Sequence, residues 1–354
     1  MKIKPLLLQA QQRELLYPES HCTRRLPVNL EAADLGLFKH ELEKSIPATD
    51  LLQFDHCRVA GNGILYQGMR VFEESFGYRC MLDEWASLKN LVRFFVGQYA
   101  LKKLQTCDED VVLFIDNWSG AYFHWITDSL SRLYAARETV KGATILLPMH
   151  YGQFEYTLPS LAPFRTGAIK YLDKDHVLLC RRLIVPTHTA PSGNYNASLI
   201  SGLRDLIVNH FGGRNLSPSG ERVYISRRKA KVRRIVNEAE VEAVLKQYGF
   251  RIVCFEDFTF AQQVAIASNA RYLISNHGAG LTNMLFMPVG SSVLELRKAG
   301  DSHNNCYFAL ASSLDLRYLY QLCDIQNPNA DAYSADLVVH TERLKRNIDL
   351  MLDA

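Results

Sequence analysis

Three stretches of this 354-residue chain group side chains that could do chemistry together. The first runs from Asp116 and Asn117 through His124 and Asp128 to Arg132. Its pattern predicts a helix over 122–138, which puts His124, Asp128 and Arg132 at i, i+4 and i+8 on one face. An imidazole, a carboxylate and a guanidinium in line after a strand end suit proton transfer with a bound hydroxyl. The same trio equally suits a surface helix laced by stabilising pairs. The second stretch is Arg227 to Arg234, where six of eight residues are cationic, starting where a predicted strand ends. Arginine forks match phosphate oxygens, so this cluster suits a phosphate-bearing ligand. A solvated basic loop is the plain alternative, and no aromatics interleave to stack nucleic-acid bases. The third is Ser275-Asn276-His277-Gly278-Ala279-Gly280-Leu281-Thr282-Asn283. Small residues between a buried strand and a helix let backbone N–H groups approach an anion. By itself it reads equally as a tight turn with a capping histidine.

Other chemistries lack their parts. Asp108-Glu109-Asp110 and Asp173-Lys174-Asp175 match the Asp-x-Asp pattern of metal-dependent sugar-nucleotide enzymes. The first precedes a predicted strand and the second sits in a charged hairpin-like stretch, so both read as solvated turns. The eight cysteines are never closer than 17 residues and form no zinc-ligand spacing, so no metal is expected. Most lie in apolar runs, which suits reduced, buried thiols and a reducing compartment. There is no phosphate-binding Gly-x-x-x-x-Gly-Lys loop. A serine hydrolase would need a Gly-x-Ser-x-Gly elbow, and none occurs.

The elements that must position these groups alternate. Apolar runs at 111–115, 143–147, 168–172 and 183–186 read as strands, with helices at 122–138 and 197–211. Short β-like runs precede them at 63–66, 69–73 and 78–82. After the Gly/Ser/Pro-rich stretch 212–220, strands at 222–226, 251–255, 271–275, 292–296 and 316–322 alternate with helices at 238–248, 259–269, 281–286 and 303–313. That is the pattern of βαβ units on a parallel sheet. The expected domains are 1–212 (with 1–54 poorly defined), 213–330, and a C-terminal amphipathic helix, 333–352, packing back on the first. Ligands of such α/β halves lie at the carboxyl ends of strands, and a cleft between the halves is expected.

Net charge is +3, with 48% hydrophobic residues, so neither nucleic acid nor a whole-surface membrane association is expected. The N-terminal apolar run is shorter than the roughly 7–15 residues of a signal sequence, and no run approaches the ~20 that span a bilayer. The chain therefore reads as cytoplasmic, with peripheral contact at the inner membrane at most. The Asn-x-Ser sequons at Asn117, Asn196 and Asn215 then read as chance matches.

In this order, the three segments resemble glycosyltransferase family 61, which includes protein O-GlcNAc transferases, plant xylan-decorating transferases and bacterial polysaccharide-synthesis proteins. The resemblance covers roughly 110–322. It rests on Phe123-His124-Trp125-Ile126-Thr127-Asp128-Ser129-Leu130-Ser131-Arg132, Ile225-Ser226-Arg227, Arg233 to Glu238, His277 to Asn283, and Val293-Leu294-Glu295. It implies two Rossmann-like domains facing across a cleft, the GT-B architecture, and metal-independent inversion using a nucleotide-sugar donor, a UDP-sugar first. By that resemblance Asp128 is the general base with His124 beside it, and Asn117 and Arg132 support the acceptor side. Arg227, Arg233, His277, Gly278, Ala279, Gly280, Thr282 and Asn283 hold the donor, and Glu295 meets the ribose. No cofactor is implied. The acceptor would be a glycan or lipid-linked glycan of capsule, O-antigen or exopolysaccharide synthesis, alongside other enzymes of that route. A non-catalytic nucleotide-sugar-binding protein on the same fold is the alternative.

Overall fold

The computed structural model describes residues 4–212, 221–327 and 334–353. Contacts divide the chain into two compact units, 1–20 with 46–192, and 21–45 with 193–354. This differs from the expected division at residue 212. Residues 21–45 and the helix Ala197–His210 go with the second unit, and the expected linker, including Asn215, lies largely outside the described residues.

The first unit is built on a mixed sheet. Its main strands are β1 (Thr49–Ala60), β2 (Lys103–Val112), β3 (Thr144–Pro148), β4 (Ile169–Leu172) and β5 (His176–Pro186). β2, β3 and β4 lie side by side in parallel, and β5 returns to the other flank of β2, also parallel. β1 then pairs antiparallel with β5. All five residues of β3 are buried, as expected of a parallel strand covered on both faces. The direction of stepping reverses at the β2/β5 boundary, and ligands of open α/β sheets bind at the carboxyl ends of strands at such a reversal.

Several local expectations change. The β2 ladder ends at Val112, although Leu113 still donates to Ile184 at 3.0 Å. Asp108–Asp110 lies inside β2 and not in a turn, with Glu109 accepting from Thr144 and Asp110 ion-paired to Arg182. Asp173–Asp175 is the β4–β5 turn, closed by Asp175 N–H donating to Asp173 at 2.9 Å. The run 78–82 belongs to a helix, Arg79–Trp85.

The second unit has a parallel sheet of β6 (Glu221–Ile225), β7 (Arg251–Val253), β8 (Ala270–Asn276), β9 (Ser292–Lys298) and β10 (Arg317–Ile325), edged by antiparallel β11 (Leu337–Val338). Its order is β7-β6-β8-β9-β10-β11, so the reversal falls between β6 and β8. Helices Glu238–Gln247 and Phe260–Asn269 connect its strands. The second opens on a capping box, Thr259 with Gln262. The C-terminal helix begins at Thr341, and buries Leu344, Ile348 and Met351 in this unit's own core with Leu294 and Leu319. The 21–45 segment joins the same unit through Phe38, whose ring lies 5.1 Å from Phe308 and 5.0 Å from Tyr320. No described helix is long and apolar enough to cross a membrane.

Candidate functional sites at two sheet reversals

In the first unit the candidate side chains follow the ends of β2 and β5. The helix after β2 is interrupted: Tyr122–His124 is α-helical, Trp125–Ser129 is a π-turn closed by Leu130 N–H donating to Trp125, and Leu130–Ala135 resumes. Such wide turns are rare and favour functional sites. His124 Nδ1 and Asp128 Oδ2 are 2.8 Å apart. Ser192 Oγ, beyond β5, donates to the same Asp128 oxygen at 2.7 Å, and Thr127 Oγ1 lies 2.9 Å from both Asp128 Oδ1 and Phe123 O, with one proton to share between them. The Trp118 ring flanks the imidazole at 4.7 Å. Ser192 also lies 3.1 Å from His124 Nδ1. Serine and aspartate thus meet the same ring nitrogen, whereas a nucleophilic triad needs them on opposite nitrogens, so this trio is no hydrolase relay. Among the described residues nothing is bonded to His124 Nε2.

Arg132 does not extend this row. The extra residue in the π-turn rotates it off the stripe, and its buried Nε donates to Pro186 O at 2.8 Å. Asn117 is exposed, its Oδ1 accepting from Gly77 N–H at 2.9 Å. A second, deeper group joins Asp116 of the first stretch to His188 and Glu74, which no motif foreshadows. Asp116 accepts from the Trp118 amide at 2.8 Å and the Ser119 amide at 3.1 Å, and binds His188 Nε2 at 2.9 Å. Burial would raise its pKa, but His188, Arg132 and these donors outweigh burial and hold it at about 2. His188 N–H donates to Glu74 at 2.6 Å. His188 and Ser192 are legible in the sequence only as residues just past a predicted strand end.

In the second unit the basic run is sorted by its partners. Arg228 pairs with Glu242 at 3.1 Å, Lys229 with Asp257, and Arg234 with Asp336 at 3.6 Å. Arg227 and Arg233 have no carboxylate within ion-pair distance among the described residues. They lie close enough that Arg233, after burial, lowers the Arg227 pKa. Arg227 Nε donates to Arg233 O at 3.3 Å, and the buried Asn276 amide donates to the same carbonyl. These contacts pin Arg233 at φ 57°, a left-handed conformation costly for a non-glycine residue and frequent at functional sites.

The β8 turn meets this pair. A Cβ on Gly278 would overlap the Arg227 guanidinium, so only glycine lets the arginine lie against the turn. Ala279 and Gly280 are half-buried at the start of a 3-10 helix, Ala279–Phe286. Thr282 and Asn283 face inward, Asn283 donating to Gly280 O at 3.0 Å. Glu295 is fully buried, with His277 Nδ1 and Tyr318 Oη each at 2.5 Å. It therefore orients His277 and is not placed to meet a ribose. Burial works to raise the Glu295 pKa, and the His277 and Arg297 charges overcome it. Among the described residues no three His, Cys, Asp or Glu side chains converge to hold a metal.

Residues 122–294 match the family model described as Glycosyltransferase 61. These residues form a glycosyltransferase 61 domain. An EGF domain-specific O-linked N-acetylglucosamine transferase of Drosophila melanogaster is 34% identical over 131 residues, which are 36% of this chain and 25% of that protein. The protein O-linked-mannose beta-1,4-N-acetylglucosaminyltransferase 2 of Mus musculus is 38% identical over 122 residues, 32% of this chain and 20% of that one. The chain thus matches only a fifth to a quarter of these relatives' length. The match begins at the His124 helix and ends in β9, so the side chains it leaves out at the two reversals include Glu74, those of 116–119, Glu295 and Tyr318.

Proposed function

We propose that this chain is an inverting glycosyltransferase that moves a sugar from a nucleotide-sugar donor to a glycan hydroxyl. The observation that carries it is the Arg227/Arg233 pair: two mutually repelling guanidiniums with no carboxylate in ion-pair distance among the described residues, against the glycine turn of β8, at the reversal of a parallel sheet. A diphosphate supplies the missing anion, and the pair stabilises the departing nucleotide diphosphate where other enzymes use a divalent metal. The amides at 278–280 and His277 assist it. The names of the relatives make N-acetylglucosamine the first sugar to try, as its UDP derivative.

The His124/Asp128 pair takes the acceptor proton. Asp128 is the expected base, yet its Oδ2 already meets both His124 Nδ1 and the Ser192 hydroxyl, and its Oδ1 faces Thr127 Oγ1. The geometry favours capture at His124 Nε2, with Asp128 orienting and charging the imidazole. The two sheet units are read as the halves of a GT-B enzyme working in the cytoplasm. Lipid-linked glycans of capsule, O-antigen or exopolysaccharide assembly are the first acceptors to test. The deciding experiment is a thermal-shift screen of UDP- and other nucleotide sugars, followed by transfer assays with and without EDTA. Stabilisation by a nucleotide sugar that Arg227→Ala abolishes, with EDTA-resistant transfer, is expected. Binding unweakened in Arg227→Ala and Arg233→Ala would sink the donor assignment, and EDTA-sensitive transfer the metal-free one.

A further inference from the structure

A helix of the first unit, Leu88–Val96, continues through a π-turn, Gly97–Leu101, and presents two different faces. Phe94, Phe95 and Gln98 are buried beneath it. On the other face Leu88, Val92 and Val96 are 47%, 51% and 52% exposed, and Leu101 is 79% exposed. Tyr99 Oη donates to Gly68 O at 3.0 Å, which brings the tip of the 65–71 hairpin alongside, with Met69 57% exposed. A run of half-exposed aliphatic side chains at i, i+4 and i+8 is unusual on a protein surface that meets only water.

Along the helix and its continuation into β2 the charges have one sign, with the acidic Asp83, Glu84 and Asp175 at its two ends. Between Glu84 and Asp108 the chain has four cations, Lys89, Arg93, Lys102 and Lys103, and no acidic residue. Arg70 stands exposed on the hairpin tip, and Arg58 lies 4.5 Å from the Tyr99 ring centroid. Whole-chain charge is nearly balanced, so this patch is a local concentration. Aliphatic side chains rimmed by Lys and Arg match the boundary between acyl chains and anionic headgroups.

We propose that the 88–101 helix and the 65–71 hairpin tip form a peripheral docking surface for an anionic lipid bilayer. Leu88, Val92, Val96 and Leu101 enter the headgroup boundary, and the surrounding cations hold the phosphates. This does not depend on the catalytic reading, since none of these residues belongs to either sheet-reversal site.

The test is co-sedimentation of the full chain with vesicles of phosphatidylcholine mixed with phosphatidylglycerol, and with phosphatidylcholine alone. Binding to the anionic vesicles only, released by high salt, is expected. Val92→Glu/Val96→Glu should abolish it, and Lys102→Ala/Lys103→Ala should weaken it by about fivefold per cation removed. Unchanged melting temperatures would show that these surface variants fold. Should the glutamate variant misfold, the lysine variant carries the test. Absence of binding to anionic vesicles, or binding unaltered in the folded variants, would overturn the proposal. So would self-association of the wild type that Val92→Glu/Val96→Glu abolishes, since the face would then be covered by a second copy.

Discussion

The two sheet reversals solve opposite electrostatic problems with the same topology. After β2 and β5, a carboxylate is surrounded by donors: Asp128 by His124, Ser192 and Thr127, and Asp116 by His188 and two amides. After β6 and β8, two guanidiniums have no carboxylate in ion-pair distance among the described residues, while Arg228, Lys229 and Arg234 are paired. The first arrangement is complete in itself, suited to holding a proton acceptor in one orientation. The second keeps two positive charges side by side, which suits the anion of the proposed donor. A strand end supplies only a place; the sign and satisfaction of the side chains set there decide the chemistry.

The contrast can be broken most sharply at Asp128. Asp128→Ala should lower kcat by about 10²–10⁴-fold, the range for losing general base assistance, and leave donor affinity unchanged by titration calorimetry. Asp128→Asn should fall nearly as far, because an amide cannot charge the imidazole; wild-type turnover in that variant would remove the His124/Asp128 pairing from the mechanism. Next, Arg227→Ala or Arg233→Ala should weaken nucleotide diphosphate binding roughly 10–100-fold each, the worth of a charge-assisted hydrogen bond. Salt should weaken wild-type binding more than either variant's.

A smaller effect separates Asp116 from Asp128. Its pKa of about 2 lies below the unfolded value, so its charged form stabilises the fold above about pH 4, and that contribution is lost as pH falls toward 2. The loss should be about 2 kcal/mol, read from urea midpoints, and Asp116→Asn should flatten the curve over that window. Smallest of all, Thr259→Ala removes the capping box and should cost about 1 kcal/mol of stability with donor affinity intact. A loss of affinity there would mean that the donor site senses helix Phe260–Asn269.

Much of the second unit is legible in the sequence because its strands and helices alternate with clear periods and stops. Gly249 and Thr259 mark boundaries where the structure has them, the first at φ 74° and the second as a cap. The first unit is harder. Trp125–Ser129 keeps the helical spacing of its flanks, and nothing in its residue types announces a π-turn, so the spacing predicts Arg132 beside Asp128 while the structure turns its Nε to Pro186 O. Residues 21–45 have no sustained period because their order comes from contacts with distant residues, as Phe38 with Phe308 and Tyr320.

Residue type and local order alone determined that a histidine and a carboxylate four apart share a helix face, and that cations and glycines follow strands. Neighbours in sequence are held within a few ångströms by the backbone, so spacing is enough to pair them. Only the tertiary structure decided which cations would be neutralised, that Glu295 would face His277 in the interior, and that Ser192 and His188 would reach residues more than sixty positions earlier. Those outcomes depend on strand register and burial, which bring together groups that no local pattern relates.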